Sequence, residues 1–309
     1  MTAYLVTGGA GFIGSHIVEE LVRKGERVRV LDNLSSGKKE NLAHLTKSIE
    51  FIEGDITNTA DVARSVEGVD YILHQAALAS VDGSVRDPLL TNAVNITGTL
   101  NLLQAACDNK IKRFVYAASS AVYGNTSTLR KSENLSADPL SPYAVTKYTG
   151  ELYCRIFYRI YGLETVALRY FNVFGPRQDP NSMYAAVIPL FIAAILQGKI
   201  PVIYGDGDQS RDFVYVSDVV EANLLACSAP KAPGEVLNVG CGNQITVNQL
   251  LTDLKRIMKS DVTPVHQEAR PGDVRHSLAD ITRARKILGY EPAVSLQEGL
   301  QKTVAWFMQ

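Results

Sequence analysis

A glycine-rich turn near the start of the chain constrains the fold more than any other feature. The mostly apolar run at residues 4–7 leads directly into the glycine-rich run at residues 8–14. Ile13, Ile17 and Leu21 then recur every four residues, which is the spacing of one face of a helix. The sequence therefore predicts a buried strand, a tight turn and a helix in direct succession.

The same alternation of short apolar runs and helical patterns continues through the first half of the chain. Strands are predicted at residues 4–7, 27–31, 50–52, 71–73, 114–116 and 165–168, and helices at about 59–66, 88–108 and 142–161. Strands separated by helices of this length form βαβ units. We therefore expect an α/β fold, a doubly wound parallel sheet of the Rossmann type, over residues 1–176.

The regular alternation ends near residue 176, where prolines and turn-forming residues become frequent. Helical patterns return at about 184–197, 217–228, 246–258, 280–288 and 295–307. We predict a smaller, mixed α/β region over residues 177–309, with some of its elements returning to the sheet. Ligands of open α/β sheets bind beyond the carboxyl ends of the strands, so this region is expected to bind the substrate.

Composition excludes several classes of protein. The 309 residues carry 31 Lys and Arg against 32 Asp and Glu, a net charge of −1, which predicts no nucleic-acid or anionic membrane partner. No run approaches the roughly 20 apolar residues of a membrane helix, and residues 1–6 lack the basic start of a signal peptide. The four cysteines form no C-x-x-C pair and the five histidines no i, i+3 or i, i+4 pair. We therefore expect a cytoplasmic protein without a metal site.

The glycine spacing also indicates a ligand. Glycines at positions 8, 11 and 14 let a pyrophosphate approach the start of the helix, where free N–H groups and the helix dipole favour anions. Asp32 lies 18 residues beyond Gly14, where a carboxylate accepts both hydroxyls of an adenosine ribose and repels a 2′-phosphate. Since residues 33–37 include no basic side chain, NAD is predicted rather than NADP. The alternative is a glycine turn that only tightens the strand–helix junction.

A second group of residues is suited to proton transfer. Tyr143 and Lys147 form a Y-x-x-x-K spacing after a Ser-Pro pair at 141–142, which caps a helix and places both side chains on one face. The ammonium and a positive nicotinamide would lower the pKa of the phenol toward neutral pH, as a general base requires. Ser119 and Ser120 end the preceding strand and can hydrogen-bond the reacting oxygen. The alternative is a solvated helix face beside a polar strand end.

These residues resemble a known family. The glycine loop, Asp32, the two serines and the Tyr-Lys pair, together with residues 169–175, resemble the extended short-chain dehydrogenase/reductases. Within that family the chain is similar to nucleotide-sugar 4-epimerases of the UDP-glucose and UDP-N-acetylglucosamine type. The resemblance implies that Tyr143 takes and returns the proton of the 4-hydroxyl while NAD takes and returns a hydride at C4, through a transient 4-keto sugar.

The resemblance also implies which residues bind the two ligands. Most of the implied NAD contacts lie in the glycine loop and the loops after the next strands, with Asp55 and Ile56 near the adenine. They are Gly8, Gly11, Phe12, Ile13, Gly14, Asp32, Asn33, Ser35, Ser36, Gly37, Asp55, Ile56, Gln75, Ala76, Ala77, Asn95, Tyr143, Lys147 and Tyr170. The implied UDP-sugar contacts lie in the second half of the chain. They are Asn172, Ala186, Val187, Tyr204, Arg211, Arg270, Asp273 and Ser277.

The resemblance implies particular roles for three of these substrate contacts. Arg211 and Arg270 are the expected diphosphate clamps, because a guanidinium presents two N–H groups to phosphate oxygens. Ser277 lies at the family position that controls the size of the sugar site, where Tyr admits only glucose and galactose. A small residue leaves room for a 2-acetamido group, so UDP-GlcNAc and UDP-GalNAc are the predicted substrates. UDP-Glc and UDP-Gal are further candidates.

Two enzyme classes and one non-enzymatic class remain as alternatives. In the resembling family, 4,6-dehydratases carry an Asp-Glu pair after the active-site Ser or Thr, and decarboxylases carry a nearby Glu. Residues 119–124 contain no carboxylate, which favours a 4-epimerase. A non-catalytic NAD sensor would usually have lost the Tyr or the Lys, and both are present.

The resemblance also implies a homodimer. The predicted helices at 88–108 and 142–161 resemble those that pair into a four-helix interface in the family. Their apolar residues Leu102, Leu103, Ala106 and Phe157 either contribute to that interface or face the chain's own sheet.

Overall fold

The structure is a computed structural model that describes residues 1–180, 186–269 and 274–309. Its described strands are β1 (Ala3–Thr7), β2 (Arg27–Asp32), β3 (Ile49–Glu53), β4 (Tyr71–His74), β5 (Arg113–Ser119), β6 (Arg130–Lys131), β7 (Thr165–Tyr170), β8 (Asn172–Phe174), β9 (Val202–Tyr204), β10 (Ser210–Arg211), β11 (Phe213–Tyr215), β12 (Val236–Val239), β13 (Ile245–Thr246), β14 (Val265–Gln267) and β15 (Leu278–Ala279). Seven of them form one sheet in the order β12-β7-β5-β4-β1-β2-β3. Every pair of neighbours in this sheet is parallel, which confirms the predicted doubly wound sheet.

The helices lie between the strands as the sequence predicts. They are α1 (Phe12–Arg23), α2 (Thr59–Val66), α3 (Val81–Arg86), α4 (Pro88–Asn92), α5 (Thr99–Asp108), α6 (Pro142–Ile156), α7 (Val187–Leu196), α8 (Val216–Ser228), α9 (Val247–Met258), α10 (Thr282–Leu288) and α11 (Leu296–Phe307). A π-helical turn over Ala93–Gly98 joins α4 to α5, and another over Phe157–Tyr161 extends α6. These joined segments account for the predicted helices at 88–108 and 142–161.

The strands direct successive side chains to opposite faces of the sheet, as a period of two requires. Leu5 packs in one apolar core with helices α2, α5 and α6. Val6 packs in the other core with α1, α8 and α10. Both faces of the sheet are therefore covered by helices, and this explains the nearly continuous apolar composition of its strands.

Short strand pairs build much of the second half of the chain. β8 pairs with β11, β9 with β14, β10 with β13 and β6 with β15. A third apolar core joins β8, β9, β11 and β13 to helices α7, α9 and α11. Strand β12 also comes from the second half, but it pairs with β7 in the main sheet. The main sheet therefore draws strands from both halves of the chain, and the division at residue 176 stays a prediction.

None of the helices among the described residues is both long and apolar enough to cross a membrane.

Candidate active site

The glycine loop lies tightly against the end of β4. Gly8 has a φ of +67°, and a Cβ there would lie 2.7 Å from the backbone nitrogen of Ala76. At Gly14 a Cβ would lie 2.1 Å from the carbonyl oxygen of Gly8. Among the described residues no side chain caps α1, and its first turn has no acidic residue. The first N–H groups of α1 are thus left for an anion, and the closely packed loop fits the pyrophosphate of NAD.

Asp32 is held at the carboxyl end of β2 beside this loop. Its carboxylate is 6% exposed and accepts hydrogen bonds from the backbone N–H of Ala10 at 2.9 Å and of Leu34 at 2.8 Å. A Cβ at Gly37 would lie 2.8 Å from Asp32 Oδ1. The chain therefore approaches the carboxylate closely on two sides and fixes its direction, which fits the predicted ribose contact.

The remaining predicted NAD contacts follow the neighbouring strands. Asn33 Nδ2 donates to Asp55 Oδ2 at 2.8 Å, which joins the loops after β2 and β3. Tyr170, at the end of β7, donates its hydroxyl to Gln75 Oε1 at 3.2 Å in the loop after β4. These contacts bring the predicted residues to one edge of the sheet. Phe12 and Ile13 begin α1, and the other residues of the set lie in the loops after β2, β3 and β4: Ser35, Ser36, Ile56, Ala76 and Ala77.

Asn95 has a role within the protein. Its side chain is 1% exposed, donates to Leu78 O at 3.2 Å and to Thr146 Oγ1 at 3.0 Å, and accepts from Leu78 N at 2.8 Å. It therefore ties the loop after β4 to α6. Its direct contact with NAD stays a prediction.

The predicted reacting groups meet at the start of α6. Ser141 caps this helix by accepting the N–H of Ala144 at 3.1 Å. The Ser119 side chain, at the end of β5, lies near enough to the phenol of Tyr143 to lower its pKa. The Lys147 ammonium is buried, donates to Ala117 O at 2.7 Å, and lies 6.0 Å from the centre of the Tyr143 ring. The fold thus brings the tyrosine, the lysine and one serine together.

Ser120 begins a 3₁₀ turn over Ser120–Tyr123 directly after Ser119. Its side chain is half-buried. Its contact with the reacting oxygen stays a prediction.

The chain's own residues do not lower the pKa of the phenol. Burial raises the pKa of Tyr143, and the nearby Ser119 side chain offsets this only in part. Burial also lowers the pKa of Lys147 to about 8. In the protein alone the Lys147 ammonium donates to Ala117 O, and burial sets the direction of the Tyr143 pKa shift. The predicted lowering of the phenol pKa, which combines Lys147 with the positive nicotinamide of NAD, stays a prediction. The positive nicotinamide is the remaining source of that shift.

A family model matches the part of the chain that contains these groups. Residues 4–240 match the NAD dependent epimerase/dehydratase family. The chain belongs to this family. The family depends on NAD, so the cofactor predicted from the glycine loop and Asp32 is confirmed, as is the resemblance to the extended dehydrogenase/reductases.

Individual members of the epimerase/dehydratase family are similar to this protein over nearly all of its length. A UDP-glucose 4-epimerase of Mycolicibacterium smegmatis is 40% identical over 308 residues, which cover 98% of this chain and 97% of that protein. The structure of a UDP-N-acetylglucosamine 4-epimerase from Methanobrevibacter ruminantium, in complex with UDP-N-acetylmuramic acid, is 46% identical with a TM-score of 0.96, covering 99% of this chain and 98% of that one. The structure of a UDP-glucose 4-epimerase from Thermotoga maritima with UDP-glucose is 44% identical with a TM-score of 0.95, covering 99% of each chain.

More distant members of the family have other activities. A UDP-N-acetyl-alpha-D-glucosaminuronate decarboxylase of Bacillus cytotoxicus is 35% identical over 316 residues, 99% of this chain and 97% of that protein. A dTDP-glucose 4,6-dehydratase of Streptomyces niveus is 36% identical over 314 residues, 98% of this chain and 92% of that protein. Both alternative enzyme classes named from the sequence thus occur among the relatives.

The predicted substrate contacts of this epimerase/dehydratase lie on the short strand pairs. Asn172 begins β8, two residues beyond Tyr170, which pairs with Ser119 across β7 and β5. Arg211, in β10, donates to Ser210 O at 2.9 Å, and that oxygen also accepts the N–H of Ser277 at 3.1 Å. The predicted phosphate clamp and the predicted size-controlling residue therefore lie on two adjoining segments.

The other predicted substrate contacts lie on separate segments of the chain. Tyr204 ends β9 and pairs in register with Gln267 of β14. Ala186 and Val187 form the start of α7. Arg270 and Asp273 lie outside the described residues. All eight substrate contacts stay predictions.

Sequence reasoning missed a buried histidine that joins three elements of the cofactor site. The hydroxyl of Thr99, in α5, donates to Asn95 O at 2.7 Å, so it must accept from His74 Nε2, 2.9 Å away. His74 Nδ1 then accepts from the hydroxyl of Thr7 at 2.7 Å. Burial lowers the pKa of His74 to about 3, and the ring is neutral. The signal in the sequence was a histidine directly after the apolar run of β4.

Sequence reasoning also missed Glu151 and Arg169. They form a bidentate ion pair between α6 and β7, with Arg169 Nε 2.9 Å from Glu151 Oε1 and Nη2 2.7 Å from Oε2. The available signal was a carboxylate four residues after Lys147 on the same helix face.

Proposed function

We propose that this protein is an NAD-dependent 4-epimerase of UDP-sugars. The observation that carries the proposal is the Tyr143 phenol, with Ser119 near it and a buried Lys147 on the same helix face, at the sheet edge where the glycine loop and Asp32 lie. Residues 119–124 offer no carboxylate for a second acid or base. Such a site is equipped to move one proton, and epimerisation at C4 requires no more from the protein.

NAD, held by the glycine loop and Asp32, supplies the chemistry of accepting a hydride from C4 of the sugar and returning it. Tyr143 takes the proton of the 4-hydroxyl at its phenol oxygen and later returns it to the 4-oxygen when the opposite face of the 4-keto sugar is reduced. Ser119 holds that oxygen by a hydrogen bond, and Lys147 places a positive charge on the same helix face. The sugar must turn between the two proton transfers.

UDP-GlcNAc and UDP-GalNAc are the proposed substrates, with UDP-Glc and UDP-Gal as further candidates. Ser277 supports this choice because its side chain is small and its segment is attached at Ser210 beside Arg211. The small hydroxyl leaves space that a 2-acetamido group needs, and a change of one methylene in a hydrophobic pocket already alters substrate selection by roughly 10- to 200-fold.

The alternatives differ in their products. A decarboxylase releases carbon dioxide and a 4,6-dehydratase releases water, so both change the product mass, whereas an epimerase does not. The relatives of both kinds keep these alternatives open, and the absence of a carboxylate in residues 119–124 favours the epimerase. A non-catalytic NAD sensor would bind NAD and turn over no nucleotide sugar.

We propose a homodimer formed through the helical segments at residues 88–108 and 142–161. Leu102, Leu103, Ala106 and Phe157 are buried in the core under the sheet, so they face the chain's own sheet rather than a partner. A different stripe on the same helix pair is exposed. It comprises Leu89, Leu90, Val145, Leu152, Ile156 and Ile160, with exposures between 39% and 83%. Burial of such a stripe by a second copy is favourable, and light scattering of wild type and Leu152→Glu tests it.

A cytoplasmic location is part of the proposal. The four cysteines are free thiols in the structure, which is typical of proteins in reducing compartments.

The decisive experiment incubates the purified protein, without added NAD, with UDP-GlcNAc and UDP-Glc in parallel, and resolves the epimers by NMR. Turnover of UDP-GlcNAc is the expected result and supports the small residue at position 277. Turnover of UDP-Glc alone contradicts the choice of sugar but keeps the epimerase. A product of changed mass indicates a decarboxylase or dehydratase, and no turnover of any UDP-, GDP- or dTDP-sugar with NAD added indicates the sensor.

A further inference from the structure

The helix that positions Tyr143 carries three polar residues on one face. Tyr143, Lys147 and Glu151 follow one another at intervals of four residues in α6, so their side chains share one side of the helix. That side faces the sheet, where the Glu151 carboxylate is 0% exposed and its partner Arg169 is 4% exposed. A charged pair buried this completely is costly unless its geometry is well satisfied.

The contacts between α6 and β5 are spaced equally along the helix and along the strand. Tyr143 meets Ser119 and Lys147 meets Ala117, two residues earlier on β5. Four helical residues rise about 6 Å and two strand residues about 6.6 Å, so both contacts form at once only in one alignment of α6 on β5. Glu151 adds a third attachment one turn further on. It reaches Arg169 of β7, which pairs with Ala118 of β5.

Arg169 also touches the turn that follows the serines. Its guanidinium carbon lies 4.7 Å from the centre of the Tyr123 ring, a distance at which a cation is attracted to an aromatic face. Tyr123 closes the turn Ser120–Tyr123 and donates its hydroxyl to Asn238 Oδ1 at 2.7 Å. One guanidinium therefore joins the tyrosine helix to the serine turn.

The charges around Lys147 come from four elements. Tyr143, Glu151 and Cys154 lie on α6, Tyr116 on β5 with its ring centre 5.1 Å from the ammonium, His74 on β4 and Arg169 on β7. Burial raises the pKa of Tyr116 and Cys154 and lowers that of His74, so these groups are neutral. Glu151 is the carboxylate of this set, and it raises the pKa of Lys147 against the effect of burial.

We propose that Glu151 and Arg169 are positioning residues of the reaction: the pair aligns Tyr143 with Ser119, and Glu151 balances the charge of Lys147. This inference rests on the proposed 4-epimerase function. It also predicts that the pair acts on the proton-transfer step and not on the binding of the nucleotide sugar, because neither side chain is exposed.

The first test compares Glu151→Gln holoenzyme with wild type. The change keeps the side-chain shape and removes the charge. We expect kcat to fall about tenfold with KM for the UDP-sugar unchanged, and the alkaline limb of the kcat–pH profile to move to lower pH by about one unit. An unchanged profile overturns the proposal, as does a loss confined to KM.

A second variant separates positioning from failure to fold. Glu151→Met with Arg169→Met replaces the ion pair by apolar side chains of similar length, an exchange that buried pairs often tolerate. We expect this double variant to fold with bound NAD and still to show the reduced kcat and the shifted alkaline limb. Wild-type kinetics in the double variant would overturn the proposal.

The chain offers a matched control in Glu164→Gln. Arg113 of β5 pairs with Glu164 at 2.6 Å at the opposite end of β5, and Arg113 also donates to Ala226 O and Ala229 O. This change should leave kcat and its pH profile at wild-type values. An equal shift in this control would show a general effect of removing a carboxylate and would overturn the specific role of Glu151.

A measurement that needs no turnover tests the role of Glu151 separately from the proposed function. In holoenzyme containing ¹³C-labelled lysine, the titration of Lys147 followed by NMR should move to lower pH in Glu151→Gln and stay in place in Glu164→Gln. Wild type that converts no UDP-sugar contradicts the proposed function, whereas an unmoved Lys147 titration contradicts this inference whether or not the wild type is active.

Discussion

The two sides of the site are built from different kinds of structure. The cofactor side comprises the glycine loop, Asp32 and the loops after β3 and β4, which are successive strand ends of one parallel sheet. The proposed substrate side comprises Asn172, Tyr204 and Arg211 on short pairs of strands, together with the start of α7 and Ser277, which directly precedes β15. The residues of the cofactor side belong to neighbouring βα units. On the substrate side the contacts join segments far apart in the sequence, such as the hydrogen bond from Ser277 N–H to Ser210 O.

This difference shows how the two sides can change. The cofactor side depends on backbone packing, so a single added methyl group should disrupt it. The substrate side depends on side chains carried by short segments, so a substitution there should alter selection among sugars while NAD stays bound. In the proposed reaction Tyr143 acts on the sugar while NAD exchanges the hydride, so both sides must be intact for its role.

Tyr143→Phe should have the largest effect on activity. The change removes the oxygen that takes the proton and leaves the ring in place, so kcat should fall about 10²- to 10⁴-fold while NAD and UDP-sugar still bind. Steady-state kinetics together with the NAD content of the purified protein measure this. Activity within tenfold of wild type would exclude Tyr143 as the acid/base.

Gly14→Ala should break the cofactor side. Its Cβ would lie 2.1 Å from Gly8 O, so the loop must move, and a displacement of about 1 Å costs roughly 100-fold in rate. We expect protein purified with little NAD. Gly25→Ala, just beyond the other end of α1, has nothing within 4 Å of its Cβ and a φ of +78°, so it should lower stability and retain NAD. Full NAD content in Gly14→Ala would contradict the packing argument.

Ser277→Tyr should alter the substrate side alone. The larger ring fills the space proposed for the 2-acetamido group, so kcat/KM for UDP-GlcNAc should fall relative to UDP-Glc by about 10- to 200-fold. Ser277→Ala is the matched control and should keep the wild-type ratio. Loss of NAD from Ser277→Tyr would show that the two sides are not separable in this way.

The smallest expected effect concerns stability in acid. His74 has a folded pKa of about 3, lower than its ordinary 6.5 because of burial, so the unfolded chain binds more protons between these values. Its contribution to stability is complete above about pH 6.5 and is lost as the pH falls, by about 2 kcal/mol at pH 5.

Urea unfolding of wild type and His74→Gln between pH 7 and 5 measures this contribution. The variant should lose less stability on acidification than wild type, and the exposed His44→Gln should behave as wild type. His16, whose pKa is also lowered to about 4 by burial, is present in all three proteins and cancels in the comparison. Equal slopes in wild type and His74→Gln would contradict the buried neutral ring.

Much of the cofactor side could be predicted because its signals are local. The strand, the glycines and the first helix lie within residues 3–23, and the tyrosine and lysine lie one turn apart. Glu151, Arg169 and His74 were missed as functional residues because each depends on a partner from another element, such as Arg169 of β7 for Glu151 of α6. The lowering of the Tyr143 pKa in the presence of NAD stays a prediction, since spacing reports the neighbouring lysine but not the burial that raises this pKa in the protein alone.

By itself the sequence determined the parallel sheet, the order of its helices, the glycine loop and the placement of Tyr143 and Lys147 on one helix face. These follow from periodicity, chain stereochemistry and short-range hydrogen bonding. Only the tertiary structure decided that β12 joins the main sheet, that Ser277 lies beside Arg211's strand, and that Arg169 joins the tyrosine helix to the serine turn. Such contacts depend on burial and on segments far apart in the chain, and desolvation is a property of the whole packed structure.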